Sequence, residues 1–231
     1  MKLKTFFLLT IILLGFSKAS ADDFFCTGPA NRIFNLGVRV GINSSNRTFN
    51  SNAFNVWNSN SWGTGFDAGV VANLNFRDYL AIQPGLFFES RSGNYSYATD
   101  YFTNVETSET FTQMGHLRSY NIIVPIMAIV RFNVSDILRW HLEAGPYGQM
   151  KIHSSDGDKI TVVDVPPGTN VYRYYTAQSN TFDVGIKMGT GIMLWDHYYF
   201  GIHYMAGLLD VWKLPKGGKN KAWTFTIGYD F

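Results

Sequence analysis

Apolar residues recur at every second position in eight segments that together span most of the chain, and this period of two predicts β-strands. In the last segment Trp223, Phe225 and Ile227 alternate with Thr224 and Thr226. We therefore expect an all-β fold whose strands each have one apolar face and one face of small or polar residues. The predicted strands cover residues 34–43, 66–76, 80–91, 120–132, 140–151, 182–194, 198–208 and 222–231.

The connections between these segments alternate in length, as expected for an up-and-down barrel with tight turns at one end and long loops at the other. The short connections are residues 77–78, 133–138 and 195–197, and the long ones are residues 44–63, 92–117, 152–179 and 210–221. The long connections are rich in Tyr, Ser, Thr and Asn, which suits a binding surface. An extension of the strands into a protruding sheet explains the same composition, and we favour it, with adhesion or partner binding as an added function.

A soluble β-sandwich also shows alternation, so the direction of the apolar face distinguishes the two folds. In a sandwich the apolar faces meet in the core, whereas in a membrane barrel they contact lipid and the mixed faces fill the interior. Aromatic residues gather at both ends of the predicted strands, as in the two interfacial girdles of a membrane barrel. They are Phe76, Phe132, Trp140, Trp195, Tyr198 and Phe231 at one end, and Trp62, Tyr120, Phe182 and Trp223 at the other. The sequence thus favours an eight-stranded antiparallel transmembrane β-barrel.

The N-terminal segment has the features of a cleaved export signal. Lys2 and Lys4 precede an apolar run over residues 5–16, and Ala19 and Ala21 give the A-x-A form of a signal-peptidase site. The apolar run is shorter than the ~20 residues that a membrane-spanning helix needs. We therefore predict cleavage after Ala21.

This cleavage would divide the chain into a signal peptide (1–21), a periplasmic tail (22–32) and an outer-membrane barrel (33–231), with both termini in the periplasm. The single cysteine, Cys26, lies in the tail and has no partner for an internal disulfide. The chain has 19 basic and 17 acidic residues, and the signal contains three of the lysines, so the mature protein has 16 against 17. This near-neutral balance argues against a nucleic-acid partner.

Ten charged residues lie on the inward faces of the predicted strands, five of each sign. Eight strands leave an interior just wide enough for side chains, and charges in such a lumen need partners. We predict a salt-bridge network that plugs the lumen, with a gated conduit as the alternative. The residues are Arg39, Arg91, Arg131, Lys151 and Lys187, and Asp67, Glu89, Glu143, Asp183 and Asp230.

The sequence contains no motif for a cofactor or a catalytic nucleophile. His141 and His203 both face inward, but no closely spaced third ligand accompanies them, so we expect no metal site. His116 and His153 lie in or beside Ser-rich loops that lack a nucleophile signature. We expect a non-enzymatic protein, with a lipid A-modifying barrel enzyme as a less favoured alternative.

The last strand resembles the signal that the outer-membrane assembly machinery recognises. Tyr229 and Phe231 match this signal, which has a terminal Phe, a Tyr two residues earlier and apolar residues at every second position before them. The resemblance implies that the assembly machinery and membrane lipid are partners of the chain.

The wider chain resembles the PorT-like outer-membrane β-barrel family of the Bacteroidetes. The resemblance rests on FNLGV (34–38), QPGL (83–86), VPI (124–126), EAGPY (143–147) and GYDF (228–231). It implies an eight-stranded barrel; most members have no assigned activity, and the named one serves a protein-secretion pathway. We expect a monomeric barrel that is structural or binds a protein partner through its loops, with a secretion-machine accessory as the alternative.

Overall fold

Strands make up nearly all of the described part of the chain. The computed structural model describes residues 24–47, 57–104, 107–155, 160–164, 173–214 and 218–231. Its strands are β1 (Phe34–Arg47), β2 (Trp57–Asn75), β3 (Leu80–Asn104), β4 (Thr107–Ser135), β5 (Leu138–Ser155), β6 (Ile160–Asp164), β7 (Arg173–Ser179), β8 (Phe182–Leu194), β9 (Tyr198–Gly207), β10 (Trp212–Leu214) and β11 (Asn220–Asp230). The predicted signal peptide, with Ala19 and Ala21, lies outside the described residues. Within them, no helix has the length and apolarity to cross a membrane.

Eight of the described strands form a closed antiparallel barrel in the order β1-β11-β9-β8-β5-β4-β3-β2. The first and last strands close it, with Val40 opposite Ile227 and Gly37 opposite Asp230. Closure pairs the backbone groups of both edges, which a sheet in lipid requires. The predicted fold class is confirmed.

The alternation in the sequence corresponds to an alternation between the outside and the inside of the barrel. In β11, Ile227 is 54% exposed whereas its neighbour Thr226 is 5% exposed. The same alternation of exposed apolar and buried polar residues continues along β8, where Ile186 is exposed and Lys187 is buried. Apolar side chains outside and polar side chains inside are the opposite of a soluble sandwich, and they suit a surface that contacts lipid.

The strands extend further at one end of the barrel than the period-two pattern indicated. We call this end the loop end, and the opposite end, which has tight connections at 76–79, 136–137 and 195–197, the turn end. At the loop end β3 and β4 pair in one register from Asn94–His116 to Phe102–Ser108 and, after a register shift, at Asn104–Thr107. Much of the 92–117 connection is therefore an extension of the strands, as the favoured interpretation predicted.

Two other predicted loops contain strands as well, so their assignment as loops was wrong in part. Residues 152–179 include β6 and β7, and residues 210–221 include β10. These strands form a separate three-stranded sheet in the order β10-β7-β6. They are short and rich in β-branched and aromatic residues, so strand propensity marks them while periodicity does not.

The turn end is held by tight hairpins and by the N-terminal tail. Trp195 and Asp196 have φ values of 51° and 60°, as in a type I′ turn, whose twist matches that of paired strands. In the tail, the Phe25 ring lies 4.5 Å from that of Tyr79, and the Asp78 amide donates to the Gly28 carbonyl. The tail therefore packs against the 76–79 turn.

Candidate functional site

The interior of the barrel contains most of the polar side chains that the sequence placed there. Eight of the ten predicted lumen charges are at most 8% exposed: Arg39, Asp67, Glu89, Arg91, Glu143, Asp183, Lys187 and Asp230. The other two, Arg131 and Lys151, are half-buried near opposite ends of the lumen. Because unpaired charges are costly in such a setting, the partner of each group decides how the lumen is closed.

A group centred on Asp230 links four strands near the turn end. Arg39 Nη1 lies 2.5 Å from Asp230 Oδ1, and Asn73 Nδ2 donates to the other carboxylate oxygen at 3.0 Å. Gln83 Nε2 in turn donates to Asn73 Oδ1 at 2.7 Å. Strands β1, β11, β2 and β3 are thus connected through their inward side chains.

A second group surrounds Glu143 in the middle of the lumen. Its carboxylate accepts a hydrogen bond from the Tyr199 hydroxyl at 2.8 Å and lies 2.8 Å from His203 Nε2. His141 Nδ1 lies 3.5 Å from the same carboxylate. The Arg39 guanidinium is 4.5 Å from the centre of the Tyr199 ring, which joins this group to the first.

The convergence of two imidazoles on one carboxylate does not amount to a metal site. Within the described residues, no group of three or more His, Cys, Asp or Glu side chains is arranged to hold a metal ion. Glu143, Tyr199 and His203 instead form a compact set of buried hydrogen bonds between β5 and β9, while neither ring nitrogen of His141 has a hydrogen-bond partner in the described structure.

A third group lies nearer the loop end. Arg91 Nε and Nη2 donate to the two oxygens of Glu89 at 2.8 and 3.0 Å, and Arg91 Nη2 also lies 3.3 Å from the Met205 sulfur. This bidentate geometry is the strongest form of an arginine–carboxylate pair.

Neutral groups contact four of the other five predicted charges in the described part of the chain. Lys187 Nζ lies 5.1 Å from the centre of the Phe87 ring, and Asp67 Oδ1 has no hydrogen-bond partner. Asp183 accepts from the Asn220 amide at 2.7 Å, Lys151 contacts the Ser179 hydroxyl, and Arg131 donates to Asn75 Oδ1 at 2.7 Å. The structure thus divides the ten residues into separate groups.

Small cavities show how closely these side chains pack. One cavity of about 20 Å³ lies beside Glu143, Lys187 and Tyr199, and another of about 20 Å³ lies beside Lys151 and Asp183. Each has room for about one water molecule. The Tyr199 ring lies against Gly201 and Gly191, where a Cβ would collide with it. Glycines on the inward face therefore make room for the large side chains of the lumen.

The turn end of the lumen opens into a larger polar cavity of about 280 Å³, which we call the vestibule. Strands β1, β2, β4, β5, β8 and β11, two of the turns and the tail contribute to its wall. Its charged and imidazole side chains are Arg32, Asp78, Arg131, Arg139, His141, Asp196, His197 and Asp230.

Sequence reasoning missed several members of these groups. Tyr199 was outside the predicted network, although alternation with Phe200 and Ile202 indicates an inward position. Asn73 and Gln83 were placed inward but were not expected to bind the charged residues. Only charge was used to select the network, and a search for inward amides and phenols would have found all three.

Three solved structures of outer-membrane proteins are similar to the chain. Ail of Yersinia pestis, in complex with the heparin analogue sucrose octasulfate, is 10% identical, with 87% of this chain and 100% of Ail covered and a TM-score of 0.41. Neisserial surface protein A is 12% identical, with coverages of 85% and 97% and a TM-score of 0.44. OprG of Pseudomonas aeruginosa is 11% identical, with coverages of 89% and 98% and a TM-score of 0.44.

No curated protein sequence matches the chain at a significant level. A family described as the outer membrane protein beta-barrel domain matches residues 20–213, which include the described strands from β1 to β9 and part of β10. The match agrees with the closed barrel, its apolar outer face and its polar lumen, and it places the protein in the bacterial outer membrane. The chain belongs to the outer membrane protein beta-barrel domain family.

Proposed function

We propose that the protein is a non-enzymatic outer-membrane barrel with a closed polar lumen, and that it binds a partner through the extended strands at its loop end. The observation that carries this proposal is the contrast between the lumen and the loop end of the barrel. The lumen is occupied by buried, mostly hydrogen-bonded side chains, whereas the longest hairpin of the barrel continues far beyond the charged layers.

The closed lumen argues against transport as the main function. The Asp230, Glu143 and Glu89 groups lie one after another along the interior, and the two small cavities among the lumen side chains hold about one water each. A solute would have to displace these groups and leave buried charges without partners, which is energetically costly.

The length of β3 and β4 supports the partner-binding role. These strands have 25 and 29 residues, whereas a tilted strand crosses the membrane in ~9–11 residues. From Ser92 to Asn104 the hairpin advances twelve residues, or roughly 40 Å at the usual rise of a strand. The sequence of this extension is rich in tyrosine, a residue type that gives large contact areas at low entropic cost.

The proposal requires the loop end to face the exterior and the turn end to face the periplasm. An epitope inserted at residues 105–106 should be detected by antibody on intact cells. The same epitope inserted at residues 136–137 should be detected only after the outer membrane is opened. The reverse pattern would refute this orientation.

A trimmed hairpin tests partner binding directly. Asn94 and His116 pair across the hairpin, so residues 95–115 can be replaced by Asn-Gly, a sequence suited to a two-residue turn. We expect surface crosslinking of intact cells to give a discrete adduct with the full-length protein and none with the trimmed variant. The trimmed variant should remain folded, as judged by a gel mobility that changes on boiling. An adduct that survives trimming, or no adduct with either protein, would contradict the proposal.

A secretion-machine accessory is the second candidate, and it would use the turn end instead. Phe25, Ile33 and Ile137 are 38%, 76% and 50% exposed around this end, which offers apolar contacts to a periplasmic partner. A photocrosslinker at residue 25 should capture a secretion component if this role is correct. Capture only from a crosslinker at residue 105 favours the loop-end role.

We also propose that the protein has no enzymatic role. Overexpression should leave the acyl chains of lipid A unchanged in mass spectra. A loss or gain of acyl chains that depends on His153, beside one of the Ser-rich segments, would contradict a purely binding role.

A further inference from the structure

The vestibule contains a guanidinium that the lumen groups leave without a carboxylate partner. Arg131 is half-buried, lines the vestibule, and donates a hydrogen bond to Asn75 Oδ1 at 2.7 Å. In the described part of the chain it forms no ion pair, whereas Arg39, Arg91 and Arg139 each do. Because a guanidinium has five N–H donors in a planar fork, Arg131 retains donors for an additional acceptor.

A buried imidazole lies at the inner wall of the same cavity. His141 is 2% exposed, and its Nε2 atom has no hydrogen-bond partner in the described structure. Its Nδ1 atom lies 3.5 Å from Glu143 Oε1, too far for a strong hydrogen bond. A buried polar atom without a partner is destabilising, so a ligand that reached Nε2, which is closed to solvent in this structure, would remove that cost.

The acidic residues of the vestibule do not neutralise Arg131. Arg139 lies 3.4 Å from Asp78 and 3.1 Å from Asp196, and Asp230 is held by Arg39. None of these carboxylates forms an ion pair with Arg131, so the N–H groups of Arg131 that Asn75 does not use remain available in the cavity.

We propose that the vestibule is a binding site for an anionic group, a carboxylate or a phosphate, held between the Arg131 guanidinium and the His141 imidazole. Both anions match the planar donor fork of arginine. The volume of about 280 Å³ is near the lower end of small-molecule sites, which favours a small ligand. The anion is either a soluble metabolite or the phosphate of a lipid headgroup. This site is independent of the partner role proposed for the loop end.

Calorimetry on the folded full-length mature protein in an uncharged, phosphate-free detergent tests the site. The probes are inorganic phosphate, succinate and dihexanoyl phosphatidylglycerol. We expect saturable binding of at least one probe, weakened by about tenfold or more in Arg131→Gln, since a hydrogen-bonded charge contributes on that order. Lys221→Gln removes a positive charge from an exposed site in β11 and should bind like the wild type.

The three probes also identify the source of the anion. Binding of phosphate or succinate points to a soluble ligand, and binding of the phosphatidylglycerol alone points to a headgroup; either supports the proposal if Arg131→Gln abolishes it. Both variants must show the boiling-dependent gel mobility of the folded barrel. Arg131→Lys keeps the charge without the fork and should bind with intermediate affinity. Absence of binding for all three probes, or equal binding by wild type and Arg131→Gln, would overturn the proposal.

Discussion

Glu89 and Arg91 illustrate what a charged side chain needs inside this barrel. Both are at most 2% exposed, and two N–H groups of the arginine face two oxygens of the glutamate. The pair lies on one strand, two residues apart, so both side chains point inward together.

Removal of one member of this pair should destabilise the barrel strongly. We expect Arg91→Ala to lower the free energy of unfolding by about 3–5 kcal/mol, because it leaves Glu89 buried without its partner. Urea unfolding in lipid vesicles measures this change. The double variant Glu89→Leu with Arg91→Met removes both charges at similar volume and should recover most of the stability. A single variant as stable as the wild type would show that Glu89 is not buried as described.

The Tyr199 hydroxyl should contribute in a similar but smaller way. Tyr199→Phe removes the hydrogen bond to Glu143 and the 3.2 Å contact with His203 Nε2. We expect a loss of about 1–3 kcal/mol in the same unfolding measurement. The matched control is Tyr198→Phe, since Tyr198 faces outward and is 50% exposed. Equal losses in the two variants would contradict the buried Glu143 group.

At the scale of strands, β1 and β3 approach each other across β2 at Gly65. The Asn43 amide donates to the Ser90 carbonyl at 2.9 Å, and a Cβ on Gly65 would collide with that carbonyl and with Asn43 Oδ1. The pairing of β2 with β3 shifts register between Trp62 and Asp67, around this position. A residue without a side chain is thus needed where a third strand passes so closely.

Gly65→Ala should therefore destabilise the barrel by about 1–3 kcal/mol, the usual cost of overpacking. Gly148→Ala is the control, because a Cβ at Gly148 would meet nothing within 4 Å. Both are measured by urea unfolding. If the two substitutions have the same effect, the close approach at Gly65 is not a constraint.

The last strand is also where we expect assembly to be specified. Phe231 is 61% exposed and its ring meets that of Tyr229 at 5.3 Å. We predict that Phe231→Ala lowers the amount of folded protein in outer-membrane fractions several-fold, because Tyr229 and Phe231 resemble the recognition signal. Phe225→Ala changes another outward residue of β11, 47% exposed, and should have a smaller effect. Equal depletion of both variants would argue for general destabilisation instead of a signal.

The sequence predicted the strands best where they cross the membrane. Lipid on one side and lumen on the other impose opposite polarities, so residues such as Thr226 and Ile227 show the alternation clearly. The sequence of the β3–β4 extension lacks the clear alternation, and the extension to Asn104 was indicated by composition alone. The short strands β6, β7 and β10 were missed as strands for the same reason.

Which inward side chains contact one another in the lumen depends on the relative register of distant strands. The period-two pattern does not determine that register. The pattern placed Glu143, His203 and Arg39 on inward faces. It did not show that Glu143 would meet His203 on β9, or that Arg131 would bind an amide instead of a carboxylate. These contacts follow from the stagger around the closed barrel, which is a property of all eight strands together.

At the scale of the whole molecule, three layers follow one another along the barrel axis. The turn end has the tail and the vestibule, the middle has the closely packed Asp230, Glu143 and Glu89 groups, and the loop end continues into the long β3–β4 hairpin and the small β6–β7–β10 sheet. The charged groups of the middle layer are held by neighbours on several strands, so the separation of the two ends depends on them.

Conductance in planar lipid bilayers tests the closure of the lumen most directly. The purified, folded wild-type protein should give no sustained discrete conductance steps at moderate voltage if, as we propose, the buried side-chain groups close the lumen. Membrane insertion is verified independently by resistance of the protein to extraction with carbonate. Stable, reproducible single-channel steps from the inserted wild type would contradict the closed lumen and would make the buried charges part of a conduit.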